Sequence, residues 1–176
     1  MLASPIAHIW DKPVDFKASN TYGSWSGAEI ETFLSETRIP LRLSFAGKSG
    51  LLIVPVWFEY QAGRFWSCSP NDSLLVTALR DNSAVAFDVS TNDLPYRGVR
   101  GRGSARCTTA ADNQALERLL QRYLAGTDNP LAQWLLNRTV AEAVIEIEIT
   151  WLTSWDFSDR MTGIEKISAR LPGVAL

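Results

Sequence analysis

The chain has 176 residues, 46% of them hydrophobic and 20% charged, with a formal net charge of −2. That is the size and balance of one globular domain with its own core, which excludes a disordered chain and runs against general nucleic-acid binding, since that needs a broad basic surface. A lone histidine, His8, and two cysteines, Cys68 and Cys107, leave no room for histidine triads, multi-histidine metal sites or a disulfide scaffold.

Residues 1–25 mix proline, glycine, tryptophan and charge without a period and read as an N-terminal arm. No apolar run reaches a membrane span, and the start lacks a basic-then-apolar signal pattern. The expectation is a soluble cytoplasmic protein with free thiols. Ser26 precedes GAEIETFLSE, where Ile30, Phe33 and Leu34 fall at helical spacing and acids occupy the first turns, so a helix is expected over 27–36. LRLSFA (41–46) alternates as a half-buried strand, GKSG turns, and LLIVPVWFEY (51–60) reads as the second arm of a hairpin. Pro55 cannot donate to a ladder, so it marks an edge, a bulge or a backbone facing a ligand. RFWSCS (64–69) is a third strand. A short helix follows within 70–82, capped by Asp72 or Ser73.

AVAFDV (84–89) is a fourth strand and Tyr96 to Cys107 a fifth. Within it, PYRGVRGRGSAR (95–106) holds four arginines and three glycines. As a strand it has two unlike faces: Arg100, Arg102, Ser104 and Arg106 on one, Arg97, Val99, Gly101, Gly103 and Ala105 on the other. The glycines suit close approach by backbone, a large aromatic or a planar ligand. TAADNQALERLLQRYLAG (109–126) reads as the clearest helix, with Thr109 opening a relative of the capping box, Leu116, Leu119, Leu120, Tyr123 and Leu124 as its stripe and Gly126 ending it. Asn129 and Pro130 begin another short helix. AVIEIEIT (143–150) alternates inward isoleucines with outward Glu146 and Glu148, and WLTSWDF leads to a tail over 158–176. The fold class is α+β, mainly β: a single domain over 1–176, barrel-like, with antiparallel strands and peripheral helices.

The order of these elements, with VPVWF (54–58), PYRGVRGRG, RYLAG and SWDF at their places, resembles the pyridoxamine 5'-phosphate oxidase-like, FMN-binding split barrels over residues 27–157. The resemblance implies a homodimer with a flavin cleft at the subunit interface. Ser69 and Ser73 match the family's phosphate-binding hydroxyls, whereas its lysine position holds Leu75. The basic residue near Val54 is absent. The family's R-Q-V-R aligns with Arg97, Gly98, Val99 and Arg100, and the substrate-binding arginine and histidine have no counterpart around SWDF. Oxidation of the vitamin itself is therefore not expected.

The expected cofactor site comprises Pro55, Val56 and Trp57 as an apolar wall and Ser69, Ser73, Arg97, Arg100 and Arg102 as anion donors. FMN is the expected cofactor, with hydride chemistry on a small molecule carried by the cofactor. The alternatives are a deazaflavin, whose longer phosphodiester tail would find Arg100 and Arg102, and a non-catalytic module whose cleft is empty or holds haem. Against these stand plainer roles: arginines paired with Glu146 and Glu148, tryptophans in the core, and Asp156 closing the C-terminal turn by a hydrogen bond. An RNA-binding reading of RGVRGRG needs a low-complexity setting that the surrounding strand denies.

Overall fold

The computed structural model describes residues 21–161. The expected arm and tail, and His8, lie mostly or wholly outside them. In chain order the elements are β1 (Thr21–Tyr22), α1 (Gly27–Glu36), β2 (Leu41–Gly47), β3 (Gly50–Val56), β4 (Glu59–Gln61) and β5 (Arg64–Pro70). There follow α2 (Leu74–Asp81), β6 (Ala84–Ser90), β7 (Arg97–Thr109), α3 (Gln114–Leu124), α4 (Pro130–Leu136), β8 (Glu142–Asp156) and α5 (Ser158–Met161). One sheet runs β3-β2-β6-β7-β8-β5-β4, with the short β1 parallel to β8 and every other pairing antiparallel. Its two ends, β3 and β4, are joined in sequence but not paired with each other: the barrel is split there.

Local chemistry accounts for most boundaries. Ser26 and Glu29 form a reciprocal capping box at α1. Ser73 caps α2 by accepting from Val76 N–H, a role Asp72 does not share. Asn129 and Pro130 start α4 as expected. The β4–β5 turn places Ala62 and Gly63 at φ 51° and 75°, the backbone of a tight two-residue hairpin.

Three expectations need correction. The strand expected over 51–60 is two strands, because pairing with β2 ends at Val56 and the chain bends through Trp57 and Phe58 before β4. The helix expected from Thr109 starts at Gln114. Thr109 instead pairs with Ala143 and donates its hydroxyl to Asn71 at 3.0 Å, so sheet pairing overrides the cap signal. Finally, 143–156 is one strand with a bulge. Arg102 pairs with Trp151 and Gly103 with Ile149, leaving Thr150 as the extra residue, its hydroxyl bonded to Arg102 C=O at 3.1 Å.

The core fills the inner side of the sheet: Leu41, Leu43 and Phe45 of β2, Val85, Phe87 and Val89 of β6, and Ile145 and Ile147 of β8, closed by Ile30, Leu34, Phe58 and Phe65. A smaller cluster lies under α3 and α4, where Leu116, Leu120 and Ala132 pack with Trp57, Cys68 and Leu124. The outer side of β3 is uncovered, with Leu51 80% and Ile53 70% exposed.

Candidate functional site

The two-faced reading of β7 holds from Val99 to Arg106: Arg100, Arg102, Ser104 and Arg106 are exposed, while Val99, Gly101, Gly103 and Ala105 are buried. It fails at the start of the strand, where Arg97, expected on the buried face, is exposed and Gly98 is buried against Val89 and Ser90. The space left by the glycines belongs to the barrel itself. A Cβ on Gly101 would strike the Phe87 ring and the Trp151 carbonyl, and one on Gly103 the Glu148 carbonyl. Of the three occupants the glycines suit, neighbouring backbone and an aromatic ring are the ones present, and the flat space is closed.

The Thr150 bulge changes which side chains share the outer face with the arginines. It shifts the alternation of β8, so Leu152 and Ser154 turn inward and Trp151 turns out beside Arg102, whose guanidinium lies 5.8 Å from the indole centroid. Arg100 has Asp88 as its neighbour across β6, but Asp88 is taken. It accepts from Arg42 Nη1 at 2.9 Å and from the Ser90 hydroxyl at 2.6 Å. Arg100 thus makes no ion pair among the described residues. Glu146 is engaged mainly by Arg64 at 2.6 Å, with Arg106 at 4.0 Å, so pairing with β8 acids describes Arg106 and not Arg100 or Arg102. Arg97, at the start of β7, faces Asp156 in register.

Asp156 does close the C-terminal turn. It accepts from Ser158 N–H at 2.8 Å and from the Ser158 hydroxyl, and its other oxygen accepts from Trp25 Nε1 at 3.1 Å. The Ser158 hydroxyl, chiefly, holds its carboxyl below the usual range, with Trp25 and Arg97 adding to it.

The hydroxyl pair lies elsewhere. Ser69 and Ser73 are 3.0 Å apart at the junction of β5 and α2, where Ser73 also caps the helix. Leu75, at the family's lysine position, is 7% exposed and belongs to the core. Ser69 pairs with Ala143, and Ala143 with Thr109, so the serines sit level with the far end of β7. Arg102 is seven residues back along that strand, about 23 Å at strand rise. One copy of the chain therefore presents the expected donors as two separated groups.

Pro55 is exposed on the edge strand β3, and Val56 and Trp57 are half-buried. Trp57 stacks on Tyr123 of α3, centroids 5.1 Å apart and planes 9° from parallel, and Tyr123 Oη accepts from Phe58 N–H at 3.2 Å. Beside this bend, α1, β4 and α3 enclose an open cleft of about 390 Å³ lined by Ser35, Glu36, Arg38, Glu59, Arg118 and Gln121. Glu59 pairs with Arg118 at 2.8 Å. The nearby Cys68 thiol is pushed up to about 12 by burial and by Glu142, which makes it an inert packing group at neutral pH. Sequence reasoning placed Tyr123 only in a helical stripe and did not single out Arg42, Asp88 or Glu59; their roles arise from partners more than forty residues away.

The family model described as pyridoxamine 5'-phosphate oxidase matches residues 26–154. No curated protein compared with the chain matches it. Among solved structures, the conserved hypothetical protein Rv2991 from Mycobacterium tuberculosis is 22% identical, with a TM-score of 0.62 over 87% of this chain and 92% of its own. An F420 reductase is 20% identical, with a TM-score of 0.59 over 73% of this chain and 98% of its own. A FAD-binding protein from Mesorhizobium loti is 18% identical, with a TM-score of 0.53 over 74% and 91%. At these identities the structural likenesses establish the fold alone.

Proposed function

The chain belongs to the pyridoxamine 5'-phosphate oxidase family, and from that premise we propose that two copies of it enclose a flavin-type cofactor, at which a small molecule is reduced or oxidised. The observation that carries this reading is the separation of the donors. Ser69 and Ser73 lie some 23 Å from Arg102 by strand rise, too far to grip one cofactor from within one chain. Serines from one copy and arginines from the other satisfy one ligand if a two-fold axis sets the head of α2 in one copy against the outer sheet face of the other. The uncovered Leu51 and Ile53 fit such an arrangement, since contiguous apolar surface is normally buried by a partner.

The residues fit a phosphate-bearing planar group. Two hydroxyls meet at the N-terminus of α2, where helix amide groups favour an anion. Arg100 holds unused donors in a fork suited to phosphate. Trp57 offers an aromatic wall, and Pro55 on the open edge of β3 leaves backbone groups free of a neighbour. When bound, the flavin accepts or delivers hydride. The chain's part is to hold the phosphate, present the ring and keep water from it. The cleft beside Phe58 admits a small polar substrate, and Arg38 at its rim orients an anionic group on it.

A second reading concerns the cofactor's tail. Burial of Leu75 removes the cation that would neutralise a terminal phosphate, while Arg100 and Arg102 remain on the open face. That balance favours a longer phosphodiester tail, as in FAD or a deazaflavin, over FMN. Titration of the purified chain with FMN, FAD and a deazaflavin, read by absorption and fluorescence, together with its mass in solution, tests both. Uptake of one of them by a dimer supports the proposal, and the preferred ligand decides the tail. A monomer, or a dimer that takes up none of the three, overturns it; a Soret band on haem addition would then mark the chain as a haem-holding module. The same reading places the protein in the cytoplasm, in keeping with two unpaired cysteines.

A further inference from the structure

Resting on the reading that Trp57 walls the cofactor, we infer that Tyr123 is the positioning residue that sets this wall. The bend at Trp57 and Phe58 needs an outside support. Ladder pairing with β2 stops at Val56, and pairing of β4 with β5 starts at Glu59, so the two residues between are outside every strand register. Tyr123 supplies that support twice over. Its ring stacks on the Trp57 indole with planes 9° from parallel, and its hydroxyl accepts from Phe58 N–H at 3.2 Å. The ring fixes the side chain of one residue and the oxygen fixes the backbone of the next, so the indole is held in both position and tilt.

Tyr123 is itself anchored. The preceding residue, Arg122, donates to the carbonyls of Ser35 at 2.6 Å, of Leu34 at 2.9 Å and of Thr37, tying the last turn of α3 to the carbonyl end of α1. Its guanidinium also lies 5.4 Å from the Phe58 ring centroid. The buried side of α3, through Leu116 and Leu120, packs where Trp57 and Cys68 pack. Burial raises the phenol from its ordinary value, so it stays uncharged at neutral pH and the bond to Phe58 persists. A phenylalanine would fill the same volume and keep the stack. Only the hydroxyl reaches the backbone of the wall.

Full-length wild type is compared with Tyr123→Phe, which keeps the ring, and Tyr123→Leu, which removes ring and hydroxyl. Trp57→Leu is the reference for a missing wall. Hydrogen exchange of the Phe58 amide reads the backbone half directly. Fluorescence of FMN at saturation reads the indole half, because a stacked tryptophan quenches flavin emission; FAD or a deazaflavin replaces FMN if wild type prefers it. Tyr123→Phe is expected to speed Phe58 exchange while Leu116 and Leu120 amides stay protected, and to weaken flavin binding about 5-fold, the scale of one hydrogen bond. Tyr123→Leu is expected to weaken binding more than about 10-fold and to raise bound-flavin emission towards that of Trp57→Leu. Unchanged Phe58 exchange and unchanged emission in both variants overturn the inference. Faster Phe58 exchange in a chain whose wild type binds no flavin overturns the cofactor reading while supporting Tyr123 as the holder of the bend.

Discussion

The region under α3 and α4 and the outer face of β7 differ in how far their polar groups are already satisfied. Under the helices, Phe58 N–H is held by Tyr123 and Glu59 by Arg118, and at the head of α2 the Ser69 and Ser73 hydroxyls meet each other. Among the described residues of β7's outer face, Arg100 has no ion pair and Arg102 meets an aromatic face. A group closed on itself resists reorganisation, whereas an open guanidinium face is ready for an anion from outside. The first region therefore behaves as a pre-set wall and the second as a grip that a ligand or a second copy completes. Substitutions in the first are expected to cost stability before binding, and those on the exposed side of the second to cost binding alone.

The largest expected effect lies on the buried side of β7, where the open face ends. Gly101→Val would drive a branched side chain into the Phe87 ring and the Trp151 carbonyl, with an expected loss of about 3 kcal/mol or more. Thermal unfolding against Arg102→Val, one residue away on the exposed side, isolates the face; equal losses would contradict the two-faced strand. Next comes the Arg138–Glu142 pair just past α4, where Glu142 is 6% exposed and its second oxygen has no hydrogen-bond partner among the described residues. Arg138→Met is expected to cost about 2–3 kcal/mol by leaving a buried carboxylate without its cation, reduced from the fully buried case because Arg138 is partly exposed. Adding Glu142→Leu should recover most of that loss. Burial raises the Glu142 pKa, so in the folded state it holds its proton to higher pH than in the unfolded chain. Stability from this group is full below the unfolded carboxylate value and declines as pH rises through the folded one. The decline should steepen in Arg138→Met, measured by urea unfolding across that window.

The elements with local signals were readable in the sequence. Helical spacing of Ile30, Phe33 and Leu34 after Ser26 set α1 to the residue, and the alternation of β2 and early β8 set their buried sides. What escaped were events decided by distant pairing. Thr109 carries a helix-start pattern, yet its backbone completes the β7–β8 ladder, and thirteen paired residues outweigh one cap. The Thr150 bulge left no mark in the periodicity, although it alone brings Trp151 to the arginine face. The candidate site was legible as residue types and not as an arrangement. Nothing in the spacing of Ser69 and Arg102 tells that they lie at opposite ends of one strand's length, because that follows from register between β5, β8 and β7. Tyr123 looked like any stripe residue, since its second role depends on a bend 65 residues earlier.

The open face makes the next test. Arg100→Ala is expected to weaken binding of the preferred flavin about 10-fold, the scale of a charge-assisted hydrogen bond, and to leave unfolding within about 0.5 kcal/mol of wild type. Ser73→Ala should do the reverse in part, costing about 1 kcal/mol of stability through the lost cap of α2. If both variants lost stability and neither lost affinity, the contrast between grip and wall would fail.

The smallest effect concerns Asp156, at the edge of the arginine face. Its carboxyl is held down first by the Ser158 hydroxyl and further by Trp25 and Arg97, so the ionised form is favoured in the folded state. For a depressed carboxylate the stabilisation is present above the unfolded value, about 4, and is lost as pH falls through the lower folded value. The group is nearly as solvated as a surface carboxylate, so the amount is under about 1 kcal/mol. Thermal unfolding of wild type and Asp156→Asn should therefore differ above about pH 5 and converge only as pH falls below the folded value of the carboxyl. Convergence also separates two parts of the contact. Asparagine has one acceptor oxygen where Asp156 uses two, so it keeps the bond from Ser158 N–H or the one from Trp25 Nε1 but not both. A gap that persists well below the folded value belongs to that lost bond, and the part that closes belongs to the ionised carboxylate, held first by Ser158 and least by Arg97. A pH-independent gap would place no ionic contribution at the start of β7 and confine the working charges of that face to Arg100 and Arg102.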